Sequence, residues 1–250
     1  MDLPIRNAPL TDQVFSVLLS RITEAVYPAG SQLPTENELA DELNVSRSTI
    51  RTAILKLEDR KFIHRKPGVG TYVNENINIT NPLNEFIEFS HLIEENGFKP
   101  GYIHISSEII LPDEATRIEL QLGDDDPILK IKKVFTANQD PIIFVINHIP
   151  FRLIQDKITE NQALKPELTR DFKSFFEDVC DQQVSYFISQ VRAEIFENIG
   201  APEEMNVYQA NTPTLIINQT GYNKTDRPII NTQEYHPGNW MTFNIIRRWG

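Results

Sequence analysis

Between Leu33 and Val73 the chain carries four local signals in a fixed order, and together they leave few folds open. Leu33-Pro34-Thr35-Glu36-Asn37-Glu38 opens a helix. Thr35 and Glu38 have capping-box spacing: the hydroxyl takes the amide three residues on, and the carboxylate reaches back. Leu39, Ala40 and Leu43 fall on the inner side of that helix. Asn44 tolerates the left-handed backbone of a tight turn. Ser46 is placed to cap a further helix, with Ile50, Ala53, Ile54 and Leu57 on its apolar face. Residues 62–73 read as a hairpin whose tip is Pro67-Gly68-Val69-Gly70. Upstream, Val14, Val17, Leu18, Ile22 and Val26 have helical spacing, so a first helix is expected over about 10–26, ended by Pro28 and Gly30. A winged helix-turn-helix over residues 1–73 satisfies all of these.

The charge pattern says what such a module would bind. The net charge is −11, which argues against a general nucleic-acid binder. Between Val45 and Tyr72, however, Arg47, Arg51, Lys56, Arg60, Lys61, Arg65 and Lys66 face only Glu58 and Asp59. A Debye length of about 8 Å screens distant acids, so a local basic patch still holds phosphates. The start of a recognition helix faces base edges in the major groove. Here that start supplies Arg47, Ser48, Thr49 and Arg51. Arg can pair with guanine O6 and N7, worth about 1–3 kcal/mol of discrimination. Thr35 and Glu36 open the preceding helix, whose N-terminal amides suit a phosphate. The wing brings Lys66, with Gly68 and Gly70 allowing close approach to the sugar-phosphate surface.

Residues 74–84 hold five asparagines, a proline and little apolar pattern, and read as a linker. Residues 85–250 alternate strands and helices, giving an α+β class. Strands are expected over 102–111, 128–135, 142–149, 184–199, 215–222, 229–236 and 241–247. Helices are expected over 112–122, 171–181 and 202–209. The order strand, helix, hairpin occurs twice. Asp126-Pro127-Ile128-Leu129 parallels Thr212-Pro213-Thr214-Leu215, and Asp140-Pro141-Ile142-Ile143 parallels Arg227-Pro228-Ile229-Ile230. The offset is about 86 residues, which suggests an internal duplication with a cleft between the halves.

Leu33 through Ala53, Leu57-Glu58 and Gly68-Val69-Gly70-Thr71-Tyr72-Val73 resemble the winged helix of the GntR family of bacterial regulators. The resemblance covers about residues 9–73. It implies DNA contacts from Thr35, Arg47, Arg51 and Gly68; many members carry Arg where this chain has Asn37. Leu122-Gly123, Pro127 to Lys133, Asp140 to Ile143, His148-Ile149-Pro150, Arg227 to Ile230 and Tyr235 to Gly238 resemble the UTRA effector-binding domain of the HutC branch, whose fold is similar to chorismate lyase. The resemblance implies a transcription regulator, expected to be a repressor, whose affinity for operator DNA is set by a small molecule such as a sugar phosphate or small acid. In the family, basic residues on central strands and a carboxylate on the next strand hold that effector. The corresponding positions are Lys133, Phe135 and Val145, so only the first charge is kept. Asn147, Tyr235 and the loop at Lys99 are further candidates, whereas Lys130 and Lys132 should face the other side of the strand.

A homodimer on a near-palindromic operator is expected, because one winged helix offers few base contacts. The competing reading is an enzyme on the C-terminal fold with an appended DNA-binding domain. Against it, there is no Ser/His/Asp order, no Gly-rich phosphate loop and no carboxylate pair with a clear role. No catalytic residue, cofactor or metal site is expected, since His148 and His236 lack spaced partner ligands. With one cysteine, Cys180, no internal disulfide can form. No apolar run approaches the roughly 18 residues of a membrane span, and no signal-peptide core is seen, so a cytoplasmic protein is expected.

Overall fold

A computed structural model describes residues 9–60, 62–74, 78–169, 172–238 and 240–246. Lys61, Asp171 and Arg247 lie outside the described residues. Near the N-terminus come α1 (Leu10–Thr23), α2 (Glu36–Leu43), α3 (Arg47–Asp59), β1 (Ile63–Lys66) and β2 (Gly70–Val73). The first helix ends at Thr23, ahead of Pro28, where Ala25 turns to φ 57°, whereas the cap and turn expectations are met. The Thr35 hydroxyl accepts the Glu38 amide, and the Glu38 carboxylate accepts the Thr35 amide at 2.7 Å. Asn44 sits in the left-handed region at φ 52°. The Ser46 hydroxyl accepts the Thr49 amide at 3.1 Å. These caps fix the angle between α2 and α3, and Leu18, Leu39, Ile50, Ile54 and Leu57 fill the space between the helices with almost no exposure. Burial of each such side chain contributes about 1.5–3 kcal/mol.

Within the segment read as a linker, four described residues form a strand. β3 (Ile79–Pro82) runs parallel to the last strand, β10 (Met241–Asn244), and Ile79 is fully buried. The sequence concealed this because the strand is polar at alternate positions and its partner lies at the far end of the chain. After β3 come α4 (Phe89–Glu95), β4 (Pro100–Ile110), α5 (Glu114–Glu119), β5 (Ile128–Ala137), β6 (Asp140–Pro150), β7 (Val184–Ile195), β8 (Pro213–Asn223) and β9 (Pro228–Pro237). One antiparallel sheet results, in the order β4-β5-β6-β9-β8-β7. The order is symmetric about the β6–β9 junction: each half is one strand followed by a hairpin, the arrangement expected of two copies of one unit.

Three expected elements differ. Within 171–181 the described helix is one short α turn, Phe172–Ser174, followed by a π turn at Phe175–Val179. Residues 202–209 form only a 3-10 turn at Glu203–Met205. Met205 is buried there, and Tyr208 is tied to the Pro141 carbonyl at 2.7 Å, so the chain turns to satisfy two anchors instead of extending a helix. The strand expected over 184–199 stops at Ile195, where Phe196 turns inward beneath the sheet.

One face of the sheet is covered in two places. α4 lies over Phe135, Ile142, Ile143 and Val145. The stretches 151–169 and 172–180 lie over Leu129, Ile131, Ile149, Ile229 and Ile230. Between these two apolar clusters runs a polar seam.

Candidate DNA interface and effector site

The DNA surface is built from the start of α3 and from the wing. Arg47 and Arg51 are exposed on the first turns of α3. Glu36 accepts Arg47 Nε at 3.2 Å and lies 3.7 Å from Arg65 of β1, which also meets Glu58 at 3.2 Å. Glu36 therefore tethers the recognition helix to the wing; as an anion it orients Arg47 and does not itself suit a phosphate. Arg65, on the hairpin, belongs to this network, a role invisible in sequence because it depends on the fold bringing positions 36, 47, 58 and 65 together. Ser48 and Thr49 hydroxyls lie 2.8 and 2.7 Å from the Ser46 hydroxyl, beside the helix start. Lys66 sits 4.4 Å from the centre of the Tyr72 ring, which holds its charge at the wing. Gly68 is at the wing tip. A side chain at Gly70 would meet Gln32 at 2.3 Å, and Gln32 in turn donates to the Val69 carbonyl at 3.2 Å. This close approach straps the wing to the loop before α2.

Thr35→Ala removes one cap bond. It should cost about 0.5–2 kcal/mol of stability. It should also weaken DNA binding evenly across sequences, because a phosphate contact carries no base information. Binding curves on matched operator and scrambled duplexes check this; a loss confined to the operator would contradict it.

The effector candidates divide by strand parity. Cross-strand pairing places His104, Lys133, Val145 and Glu234 in one row. Asn147, Thr232 and Gln219 lie one row along on the same face, and Phe135 and His236 one row the other way. These residues form the polar seam and its borders. Lys133 is 2% exposed. Its ammonium donates to the Thr169 carbonyl and lies 4.7 and 5.5 Å from the Phe172 and Tyr102 ring centres. Burial pulls its pKa down to about 8, against a smaller upward pull from Glu88. Glu234 is 4% exposed and accepts from Gln219 at 2.5 Å, with His236 at 3.3 Å. Asn147 accepts from Thr232 at 3.0 Å, while its Nδ2 and the Thr169 hydroxyl are buried with no partner among the described residues. Free buried donors are costly, at about 1–3 kcal/mol each, and such cost persists where a ligand satisfies it.

Two sequence candidates fall elsewhere. Tyr235 alternates with Glu234 and so points to the opposite face, where it stacks on Phe144 at 5.3 Å among Phe196 and Met205. Lys99 is exposed at the end of the sheet; its backbone pairs with Asn138 of the β5–β6 turn at 2.8 and 2.9 Å. Four residue pairs separate it from the Lys133 row, and it lies beyond the seam. Glu234, Gln219 and Thr169 were missed because only the register aligns them with Lys133. Phe135 borders the seam as an apolar wall, edge-on to Phe89 at 5.1 Å.

α4 joins the two regions. At its start, the Glu88 carboxylate accepts the Phe172 amide, and Phe89 touches Phe135 and His236. At its end, the Glu95 carbonyl accepts Arg60 of the winged helix at 2.7 Å, and the Gly97 carbonyl accepts the Thr23 hydroxyl at 3.3 Å. Asn138 donates to the Thr23 carbonyl at 3.0 Å. Gly97 has φ +85°, and a side chain there would run into Leu19 at 2.1 Å.

Comparison with known proteins agrees with this layout. Residues 10–73 match the family described as bacterial regulatory proteins, gntR family, and residues 95–242 match the UTRA domain. The repressor NagR of Bacillus subtilis strain 168 is 26% identical over 94% of this chain and 93% of its own length. The histidine utilization repressor of Pseudomonas putida is 27% identical over 92% and 89%. YurK, a transcriptional regulator of Bacillus subtilis strain 168, is 30% identical over 64% and 69%. The crystal structure of PhnF from Mycobacterium smegmatis superposes with a TM-score of 0.63 at 19% identity, covering 94% of this chain and all of that one. The chain belongs to the GntR family, in the HutC branch that carries a UTRA domain. It is a DNA-binding transcriptional regulator with a small-molecule effector domain, and not an enzyme. Among the described residues no helix is long and apolar enough to cross a membrane, and no three His, Cys, Asp or Glu side chains are grouped to hold a metal.

Proposed function

We propose that this chain is a cytoplasmic repressor that binds a near-palindromic operator as a homodimer and is controlled by a small anion held in the polar seam. In this reading residues 1–73 form the DNA module, 74–84 the connection and 85–250 the effector and dimer module. Arg47 and Arg51 read bases. Ser48, Thr49, Thr35, Lys66 and the backbone at Gly68 and Gly70 position the duplex, with Glu36 orienting Arg47. Two of the relatives named above are repressors, which favours that sign of control.

The observation that carries the effector assignment is Lys133: a buried cation between two apolar clusters, beside free donors on Asn147 and Thr169. A phosphate or carboxylate there would replace the Thr169 carbonyl as its partner. Val145 stands where a family carboxylate is frequent, but Glu234, in the same row, supplies a carboxylate one strand further on. A sugar phosphate or a small acid with hydroxyl donors fits that set. Thermal shifts across sugar phosphates, small carboxylic acids and neutral sugars test the class. Stabilisation by anions and not by their neutral counterparts is expected; the reverse would contradict the assignment.

Control follows from α4, which touches the seam at one end and the winged helix at the other. An effector that displaces Thr169 or Phe172 pulls on Glu88 and shifts α4, and the Thr23, Arg60 and Asn138 contacts then no longer fit. Linkage requires the effector to prefer one arrangement of the two modules. Asn138→Ala should therefore keep operator binding within a few-fold of the parent and shrink the effector response. Anisotropy titrations with and without effector measure both; an unaltered response would remove this contact from the pathway.

A further inference from the structure

The polar seam has a second way out besides α4. His236 borders the seam, is buried, and donates from Nε2 to the Glu234 carboxylate at 3.3 Å. The rest of its ring faces the C-terminal strand. Nδ1 is 3.1 Å from the Met241 sulfur, and Phe243 meets the ring edge-on at 5.0 Å. Met241 and Phe243 alternate with the exposed Thr242 and Asn244, so one face of β10 is given to His236. The backbone of β10 in turn holds β3. The Ile79 amide donates to the Trp240 carbonyl at 2.8 Å, and the Leu83 amide to the Asn244 carbonyl at 2.9 Å, at the two ends of the parallel ladder. The Asn74 amide donates to the Phe62 carbonyl at the foot of the wing, and Asn74 precedes Ile79 by five positions. A ladder of two short strands is marginal on its own and stands by what its side chains pack against. The His236 ring is the part of that support that touches the seam.

We propose that His236 is a positioning residue and β10 a clasp on the connection to the wing, released when an effector takes the Glu234 carboxylate. This rests on the reading of the seam as the effector site. A ligand hydroxyl or ammonium bonded to Glu234 leaves the buried Nε2 donor without its acceptor, a costly state that turns the imidazole away. Met241 and Phe243 then lose their footing, and β10 parts from β3. The wing is no longer held at the angle set by the ladder. α4 acts on α1 and α3, whereas the clasp acts on the wing, so one binding event loosens both parts of the DNA surface.

Hydrogen exchange and operator binding by the full chain test this without an effector. His236→Phe keeps a ring and removes the bond to Glu234. Phe243→Ala, at a half-buried position, removes the footing from the other side. Either should speed amide exchange over residues 78–83 by about 10-fold, leave α2 and α3 as in the parent, and lower operator affinity by about 5-fold or more. Thr80 and Thr242 are exposed and paired across the ladder, and neighbouring strands lie about 4.8 Å apart, within the span of a disulfide. Thr80→Cys with Thr242→Cys therefore locks the clasp on oxidation. The native Cys180 does not interfere, being buried with its thiol pushed up to about 12. Added to His236→Phe, the oxidised lock should restore parent affinity and a reductant should remove it again, which a general loss of stability would not show. Added to the parent, it should keep the protein on DNA when an anion that frees the parent is present. Unchanged exchange over 78–83 in both single variants, an oxidised lock that restores nothing, or release of the locked and unlocked parent alike overturns the clasp and leaves the Lys133 assignment and the α4 route standing. A parent that responds to no sugar phosphate or small carboxylic acid overturns the seam reading on which the clasp rests.

Discussion

Arg47→Ala and Arg51→Ala should each weaken operator binding by about 1–3 kcal/mol per lost bidentate contact, compounded where both half-sites are bound. Neither should unfold the protein. Both side chains are exposed, and the Arg47–Glu36 pair is a surface ion pair of the kind worth about 0–1 kcal/mol. The loss should be largest on the operator and small on unrelated duplex DNA, since removing one cation lowers the salt-dependent background only slightly. Anisotropy with operator and scrambled duplexes at two salt concentrations measures this. Equal losses on both sequences would make the two arginines phosphate contacts and move base reading elsewhere on α3.

Lys133→Met should act in two directions at once. A lysine has an ordinary pKa of 10.5, and burial lowers this one to about 8. The shift corresponds to a cost of up to about 3 kcal/mol for keeping the charge inside the folded protein. That cost is fully present below pH 8, because the group is then protonated in both states. Between about pH 8 and 10.5 the unfolded chain binds the proton and the folded chain does not, so stability rises with pH. The methionine variant should therefore be more stable than the parent at pH 7, and its advantage should shrink as pH approaches 10.5. Urea denaturation at pH 7 and pH 10 reads both values. Equal stability of parent and variant at pH 7 would mean that Thr169 and the two aromatic rings already offset the burial. A buried cation kept at such a cost is explained by what it binds.

The winged helix was legible almost residue by residue because its signals are local. Thr35 and Glu38, Asn44 and Ser46 act on backbone within four positions of themselves, and sequence spacing is the geometry. The sheet was legible as a set of strands but not as a surface. Which residues share a face depends on alternation, and Tyr235 shows how one position reverses the reading: it adjoins Glu234 in sequence and lies on the far side of the sheet from it. Lys133 and Asn147 were recoverable from the sequence because they sit on neighbouring strands of one hairpin. Glu234 and Gln219 were not, because they reach Lys133 only through the β6–β9 junction, which joins the two halves of the duplicated unit. β3 was hidden for a related reason, having a partner about 160 residues away. The coupling element α4 had no motif at all; its role arises from the groups at its two ends.

The central claim is that an anion at Lys133 controls the grip of α3 on DNA. Operator affinity should be measured by anisotropy for the parent and for Lys133→Met, with a panel of sugar phosphates and small carboxylic acids at millimolar concentration. At least one compound should weaken parent binding roughly 5–150-fold, the range of a coupling of about 1–3 kcal/mol. Lys133→Met should bind operator as the parent does and ignore that compound. A variant that responds as strongly as the parent, or a parent that responds to no anion in the panel, would contradict the account.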